Sequence, residues 1–409
     1  MHTGKQTLFV MSILFGCAVR FASAQTWFQT SLSSGCIWSS VALSADGTRV
    51  VAGINHLDED LQDGQGGIWI STNSGTSWSL SGAPGAAWIS VGSSADGNRL
   101  VAVSSDEDFV PEDYDYGIYT STNGGLSWNL TSAPTNNWIS VASSADGMKL
   151  VAAASFGSIY TSTNGGGTWT IGGVANTWAG VTSSADGTRL AAVSHLDFGS
   201  ANPNYGLIFT STNSGASWTP TAAPAKNWDC IASSADGTRL IAGVLSGSGS
   251  VATSTNGGVT WATNNVPITG CYSVASSADG SILTALENGG PVCLSTNAGG
   301  TWITNNVPSD YWRSAAIAAD GNRLFAIAES GGLWTSQMTP SPLIQAGAAN
   351  GNMTLCWLVP STNLILQESP DLVNWSDISI APVLDLTNLN DQLVLGMTNS
   401  SAFFRLIAP

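Results

Sequence analysis

The chain has 409 residues, a formal net charge of −16 and only 9% charged residues, against 46 glycines and 17 tryptophans. Such an acidic balance excludes nucleic acid and anionic membrane surfaces as partners. The composition points to an all-β protein with many turns, and the length allows two or three domains.

Residues 1–24 read as a secretory signal. Lys5 marks the charged start, Leu8–Val19 the apolar core, and Ala22-Ser23-Ala24 a cleavage site before Gln25. A bacterial exported protein, secreted or at the cell surface, is the expectation. The alternative is lipid anchoring at Cys17, because Leu14-Phe15-Gly16-Cys17 has the outline of a lipobox. Beyond this segment apolar runs are short and cut by Gly, Ser and Asn, so no transmembrane span is expected. Loss of Lys5 and Arg20 leaves a charge of −18 and five cysteines: Cys36, Cys230, Cys271, Cys293 and Cys356. Their spacing sets no disulfide framework; one bridge at most is expected, with Cys271–Cys293 as the candidate pair.

From residue 25 to 338 the chain repeats. An Ala-Asp-Gly triplet recurs with its Asp at 46, 96, 146, 186, 236, 279 and 320. A β-prone run precedes each triplet, as in Trp88-Ile89-Ser90-Val91, and another follows, as in Arg99–Val103. Asp-Gly between two such runs signals a hairpin. A third run follows, as in Gly117-Ile118-Tyr119-Thr120, and then a second marker. That marker is Ser-Thr-Asn-x-Gly-x-Ser/Thr-Trp, at Ser71–Trp78, Ser121–Trp128, Ser162–Trp169, Ser211–Trp218, Ser254–Trp261 and Ser295–Trp302. Its Asn can bond nearby backbone amides, its Gly can take positive φ, and its Trp opens a fourth strand. Four short strands per unit describe a propeller blade.

The seventh unit has Trp312, Asp320-Gly321 and Leu333–Ser336 but no Asn box and no fourth strand. Trp27 stands 11 residues before Trp38, as Trp78 stands 10 before Trp88. Trp27–Gln29 is therefore expected to supply the missing strand. The predicted fold is a seven-bladed β-propeller closed by its N-terminal strand, which removes two exposed edges. Residues 339–342, Thr-Pro-Ser-Pro, read as a linker. Residues 343–409 read as a small β-rich C-terminal module, with strand-like runs at Met353–Leu358, Leu364–Gln367 and Gln392–Met397. This tail is similar to small β modules on exported bacterial proteins, and serves attachment, sorting or binding, or merely caps the propeller.

The Asn box resembles the Asp-box, or bacterial neuraminidase repeat, whose pattern is Ser-x-Asp-x-Gly-x-Thr-Trp. Asn73, Asn123, Asn164, Asn213, Asn256 and Asn297 stand where that family has Asp. The resemblance implies a sialidase-like propeller fold. It implies no single activity, since such propellers include hydrolases, receptors and assembly factors. A sialidase grips its substrate with three arginines. Here Arg49, Arg99, Arg189, Arg239 and Arg323 share one repeat position with Lys149, and only Arg313 and Arg405 stand apart. No triad assembles, which argues against sialidase activity.

Alternating strands put the Asp-Gly turns and Asn boxes on one face. The second-to-third connections and the links between units lie on the other. Extra length falls in the connections Asn55–Gly66, Ser104–Gly117 and Ser194–Gly206, in units one, two and four. That face is the candidate binding face, because function concentrates on variable loops held by a rigid scaffold. The first two insertions carry Asp58, Glu59, Asp60, Asp63, Asp106, Glu107, Asp108, Glu112, Asp113 and Asp115 and no Lys or Arg. Asp106, Asp108 and Asp113 are candidate ligand contacts. Asp58, Asp60 and Asp63 faintly resemble a calcium loop without the spacing of an EF-hand; solubility of long exposed loops is the plainer account.

Each unit's first strand opens on an aromatic: Trp38, Trp88, Trp138, Trp178, Trp228, Tyr272 and Trp312. These rings are candidates for stacking on sugars, against the plainer reading that they pack between blades. His56-Leu57-Asp58 and His195-Leu196-Asp197 could each form an acid–base pair. Asp58, Asp106, Asp197, Asp229 and Glu287 are carboxylates from which a glycosidase pair could be drawn, though nothing singles out two. The expectation is a monomeric, non-catalytic propeller that binds a polysaccharide or protein through the insertion face. No cofactor is expected, with calcium as the weak exception. The alternative is a glycoside hydrolase with an unrecognised carboxylate pair.

Overall fold

The computed structural model describes residues 27–32, 36–55, 67–105, 116–196, 206–245, 250–305, 307–329, 331–337, 344–349, 352–358, 365–370, 374–385, 390–396 and 403–407. All its regular structure is β. The first sheet shows the plan: Trp38–Leu43, Val50–Ile54, Ile68–Ser71 and Ser79–Leu80, each antiparallel to the one before. The same meander recurs in sheets whose innermost strands begin at Trp88, Trp138, Trp178, Trp228 and Ser273. The seventh sheet is built from Asp310–Ile317, Arg323–Ala328 and Gly332–Gln337. Trp27–Gln29 completes it, with Trp27 opposite Ser336 and Gln29 opposite Trp334.

The sheets form a closed ring. The Ala of each Ala-Asp-Gly turn donates its backbone N–H to the same Ala of the next sheet: Ala45 to Ala95, then Ala145, Ala185, Ala235, Ala278 and Ala319. Ala319 donates back to Ala45 at 2.8 Å. The fold is thus an all-β propeller closed by its own N-terminal strand.

Burial follows from this geometry. A second strand such as Leu100–Ser104 is covered on both faces by neighbouring sheets, so every residue in it is buried and it reads as a continuous apolar run. The outermost strands are two or three residues long in most sheets and exposed, as at Ser79–Leu80. The core lies at the seams between sheets. Trp88 packs with Val51 and Ile68 of the sheet before it, and Trp138 with Val101, Val103 and Ile118. Trp88, Trp138 and Trp178 each meet an aromatic of their own third strand edge-on, with Trp88–Tyr119 centroids 5.3 Å apart.

The C-terminal residues form two further small sheets. One orders Gln345–Ala349, Asn352–Leu358, Asn390–Gly396 and Val383–Asp385; the other sets Ile365–Ser369 between Ser376–Asp377 and Phe403–Ile407. They share a core of Leu355, Trp357, Leu366, Leu393 and Leu406.

Candidate functional site

Most repeated polar residues are used up in holding turns. In the first Asp-Gly turn, the Ser44 hydroxyl donates to Asp46 Oδ1 at 2.6 Å. That oxygen also accepts the Thr48 N–H, while Ser44 Oγ accepts the Arg49 N–H. Burial opposes ionisation of Asp96, Asp186 and Asp236. The hydrogen bonds from Ser94, Ser184 and Ser234 and from the turn amides outweigh it, so these carboxyls sit below the ordinary Asp range. In the Asn box, Asn123 Oδ1 accepts from the Ser121 hydroxyl and the Ser127 N–H, and Asn123 Nδ2 donates to Ser127 Oγ.

The repeated arginines are seam residues. Gly97 has φ +69°, and a Cβ there would fall 2.5 Å from Arg49 Cδ. The Arg49 stem therefore runs directly over the next sheet's turn. Arg99 meets Gly147, Lys149 meets Gly187, Arg189 meets Gly237 and Arg239 meets Gly280 in the same way. Arg323 closes the series by donating to Ser74. On this turn face the axis holds a cavity of about 160 Å³ lined by small residues, among them Ser93, Ser143, Ser233, Ala95 and Ala145.

At the opposite, connection face the repeat is broken in a localised way. Six inner strands carry a β-bulge just after the Trp, and the extra residue is Ser39, Ile89, Ile139, Ala179, Asp229 or Arg313. A bulge sets one side chain aside from the ladder and re-aims it. In the sixth unit Cys271 stands eight residues before Asp279, as Trp228 stands eight before Asp236. Cys271, not Tyr272, thus holds the tryptophan place, and Tyr272 holds the bulge place. This corrects the sequence-based series of aromatics, which counted Tyr272 with the tryptophans.

The first four sheets therefore present Ser, Ile, Ile and Ala at this level, and the last three present Asp229, Tyr272 and Arg313. Each of the three has partners. Asp229 Oδ1 lies 2.9 Å from His195 Nε2 of the fourth sheet, with the two side chains 18% and 38% exposed. Arg313 pairs with Glu329 at 2.8 Å, and its guanidinium lies over the Tyr272 ring, 5.4 Å from the centroid. Tyr311, just before, is 59% exposed. The arrangement offers a carboxylate–imidazole pair, an aromatic ring and a guanidinium–carboxylate pair on three successive sheets.

Of the expected ligand-binding and metal residues, the structure describes only the tryptophans. Trp38, Trp88, Trp138, Trp178, Trp228 and Trp312 are all 0–2% exposed, so they present no face to a sugar; they pack the seams. Asp58, Asp60, Asp63, Asp106, Asp108 and Asp113 lie outside the described residues, as do His56 and Asp197. His195 meets Asp229, a residue of the next sheet, rather than a sequence neighbour. Of the carboxylates considered for hydrolysis, Asp229 faces His195, and Glu287 accepts the Thr269 N–H at 2.9 Å. The sequence signal that could have revealed Asp229, Cys271 and Arg313 is the alignment of each unit on its Asp-Gly turn.

The class that this fold defines is the β-propeller, and solved structures agree. YCF48 from Cyanidioschyzon merolae superposes with a TM-score of 0.56 at 15% identity, over 77% of this chain and 99% of that one. YCF48 bound to D1 peptide gives 0.55 at 15% identity, over 78% and 98%. The GH74 xyloglucanase from Xanthomonas campestris gives 0.57 at 14% identity, over 82% of this chain and 59% of that one. These likenesses show the fold alone. No protein-family model matches the chain, and no curated protein does.

Proposed function

We propose that this chain is an exported, non-catalytic propeller of Asp-box type that binds a polypeptide segment through its connection face, around sheets five to seven. The observation that carries this reading is the broken repeat at Asp229, Tyr272 and Arg313, with His195 and Glu329 beside them, against near-uniform turns everywhere else. Repeated residues serve the scaffold, and departures from the repeat are where a site can be built. Paired charges, an aromatic ring and the exposed Tyr311 suit the polar, hydrogen-bonding surface of a peptide. A glycan is less well served, because the tryptophan rings that would stack on it are buried. The hydrolase alternative needs two carboxylates across one cleft, and Asp229 and Glu287 stand on different sheets, each with its own partner. A protein of similar fold, YCF48, has been solved with a bound peptide, which is a precedent for the mode and not for the partner.

The test is selection of the full chain against a random peptide display library, repeated with Arg313→Ala and Asp229→Asn. Enriched peptides that bind the parent and lose at least tenfold in affinity with either variant would support the reading. No enrichment, together with reducing-end release from any polysaccharide, would replace it with the hydrolase.

A further inference from the structure

Two cysteines occupy the seam between the fifth and sixth sheets, and both are departures from the repeat. At most seams a serine of one inner strand accepts the backbone N–H of the next. Ser40 accepts Val91, Ser90 accepts Val141, Ser140 accepts Val181, Ser273 accepts Ala315 and Ser314 accepts Val41, at 3.0–3.3 Å. The fifth sheet carries Cys230 at this place. At every other seam a tryptophan opens the following inner strand and fills the gap; the sixth unit carries Cys271 there. Among the described residues this is the one seam that lacks both devices. The two sulfurs lie 3.9 Å apart. They meet above Gly243, where a Cβ would fall 2.6 Å from Cys230 Sγ and 2.7 Å from Cys271 Sγ. The glycine is what leaves room for the pair.

We propose that Cys230 and Cys271 form a disulfide that fastens the fifth sheet to the sixth, in place of the missing tryptophan and serine. A disulfide closes at a sulfur separation of about 2.05 Å, so the thiols need to approach by roughly 2 Å, through rotation of the two side chains across the seam. The pair differs from Cys271–Cys293, the bridge expected from sequence: Cys271 meets a cysteine of the neighbouring sheet. Burial, followed by the adjoining Cys271 thiol, pushes the Cys230 thiol well above its ordinary value. Since thiolate is the reacting form, the bond belongs to folding, before the seam is sealed. The oxidant is a disulfide of the glutathione class. Its S–S bond breaks as the protein's forms; it takes the two electrons and two protons that the protein thiols lose and departs as two thiols.

The test unfolds and reduces the full chain, refolds it in reduced and oxidised glutathione, alkylates free thiols and maps the peptides by mass spectrometry without reduction. The expected result is one linked peptide pair joining Cys230 to Cys271, with Cys36, Cys293 and Cys356 alkylated, and Cys17 too where residues 1–24 are retained. A second arm compares thermal melts before and after reduction. The parent is expected to lose a few degrees on reduction and Cys230→Ser none. Recovery of Cys230 and Cys271 as free thiols, or either one linked to another cysteine or to glutathione, would overturn the proposal. The mapping needs only the parent chain, so it decides even where the variant fails to fold.

Discussion

Asn123 sits where the Asp-box pattern that the turn resembles has Asp, and its hydrogen bonds explain why either residue serves. Its Oδ1 accepts two bonds that an Asp oxygen accepts equally well, and only the Nδ2 donation to Ser127 Oγ reverses sense. A serine hydroxyl can donate as readily as it accepts. Asn123→Asp should therefore change stability by less than about 0.5 kcal/mol, while Asn123→Ala should cost about 1–2 kcal/mol, because two turn donors lose their acceptor. Equilibrium denaturation of both variants checks this; equal losses would show that the box side chain does not hold the turn. The turn carboxylates give a pH dependence of fixed sign. Asp96, Asp186 and Asp236 have folded-state values below the ordinary one, despite the burial that opposes it. Their stabilisation is thus present above the unfolded value of about pH 4 and is lost as pH falls through the folded values. The Tm should be level from neutral to mildly acid pH and drop below about pH 4, and Asp236→Asn should shallow that drop. A melting profile from pH 7 to pH 2 measures both.

At the scale of elements, the N-terminal strand is the one whose loss spreads furthest. Trp27 packs against two clusters, one with Leu286, Val292 and Trp312 and one with Ile282, Leu294 and Leu324, and Thr30 N–H donates to Leu333 O at 2.8 Å. Deleting Gln25–Thr30 would leave Gly332–Gln337 as an open edge and uncover that core. It should lower the Tm by a few degrees, since the strand pairing and the packing of half-buried Trp27 together contribute about 2 kcal/mol. A truncated chain that melted with the parent would mean that the ring holds without this strand. This closure was legible in the sequence because it rests on spacing: Trp27 stands before Trp38 as the box tryptophans stand before theirs. The sheets, turns and seams were legible for the same reason, since repetition multiplies a weak signal. The site was not. The register of the inner strands was misread at Tyr272, because an aromatic one residue away imitates the tryptophan it fails to replace. The partner of His195 was missed because Asp229 lies 34 residues on and across a seam, whereas His-Leu-Asp offers a nearer acid. Contacts between neighbouring sheets follow from the bulge and the ring closure, neither of which is written in one unit's pattern.

At the scale of the whole molecule, charge decides how a partner arrives. The chain carries −16 with few charges of either sign, and most cations among the described residues are taken up: Arg49, Arg99, Lys149, Arg189, Arg239 and Arg323 lie along seams on the turn face, and Arg313 is paired with Glu329. The segments 55–66 and 104–117 add ten carboxylates and no cation. A ligand therefore approaches a molecule of negative net charge, and a basic peptide is drawn to it. Steering of this kind weakens as the Debye length shrinks from about 30 Å at 0.01 M to about 8 Å at 0.15 M salt. Peptides selected by this protein should accordingly be enriched in Lys and Arg, and their association rate should fall at least tenfold across that range while dissociation changes little. Arg313→Ala should show the reverse, raising the dissociation rate with little change in the salt slope, because its effect is local contact rather than long-range field. Surface plasmon resonance at stepped ionic strength separates the two. An association rate indifferent to salt would mean that recognition rests on the Tyr272–Arg313 contact alone and that the acidic segments serve only to keep the chain soluble.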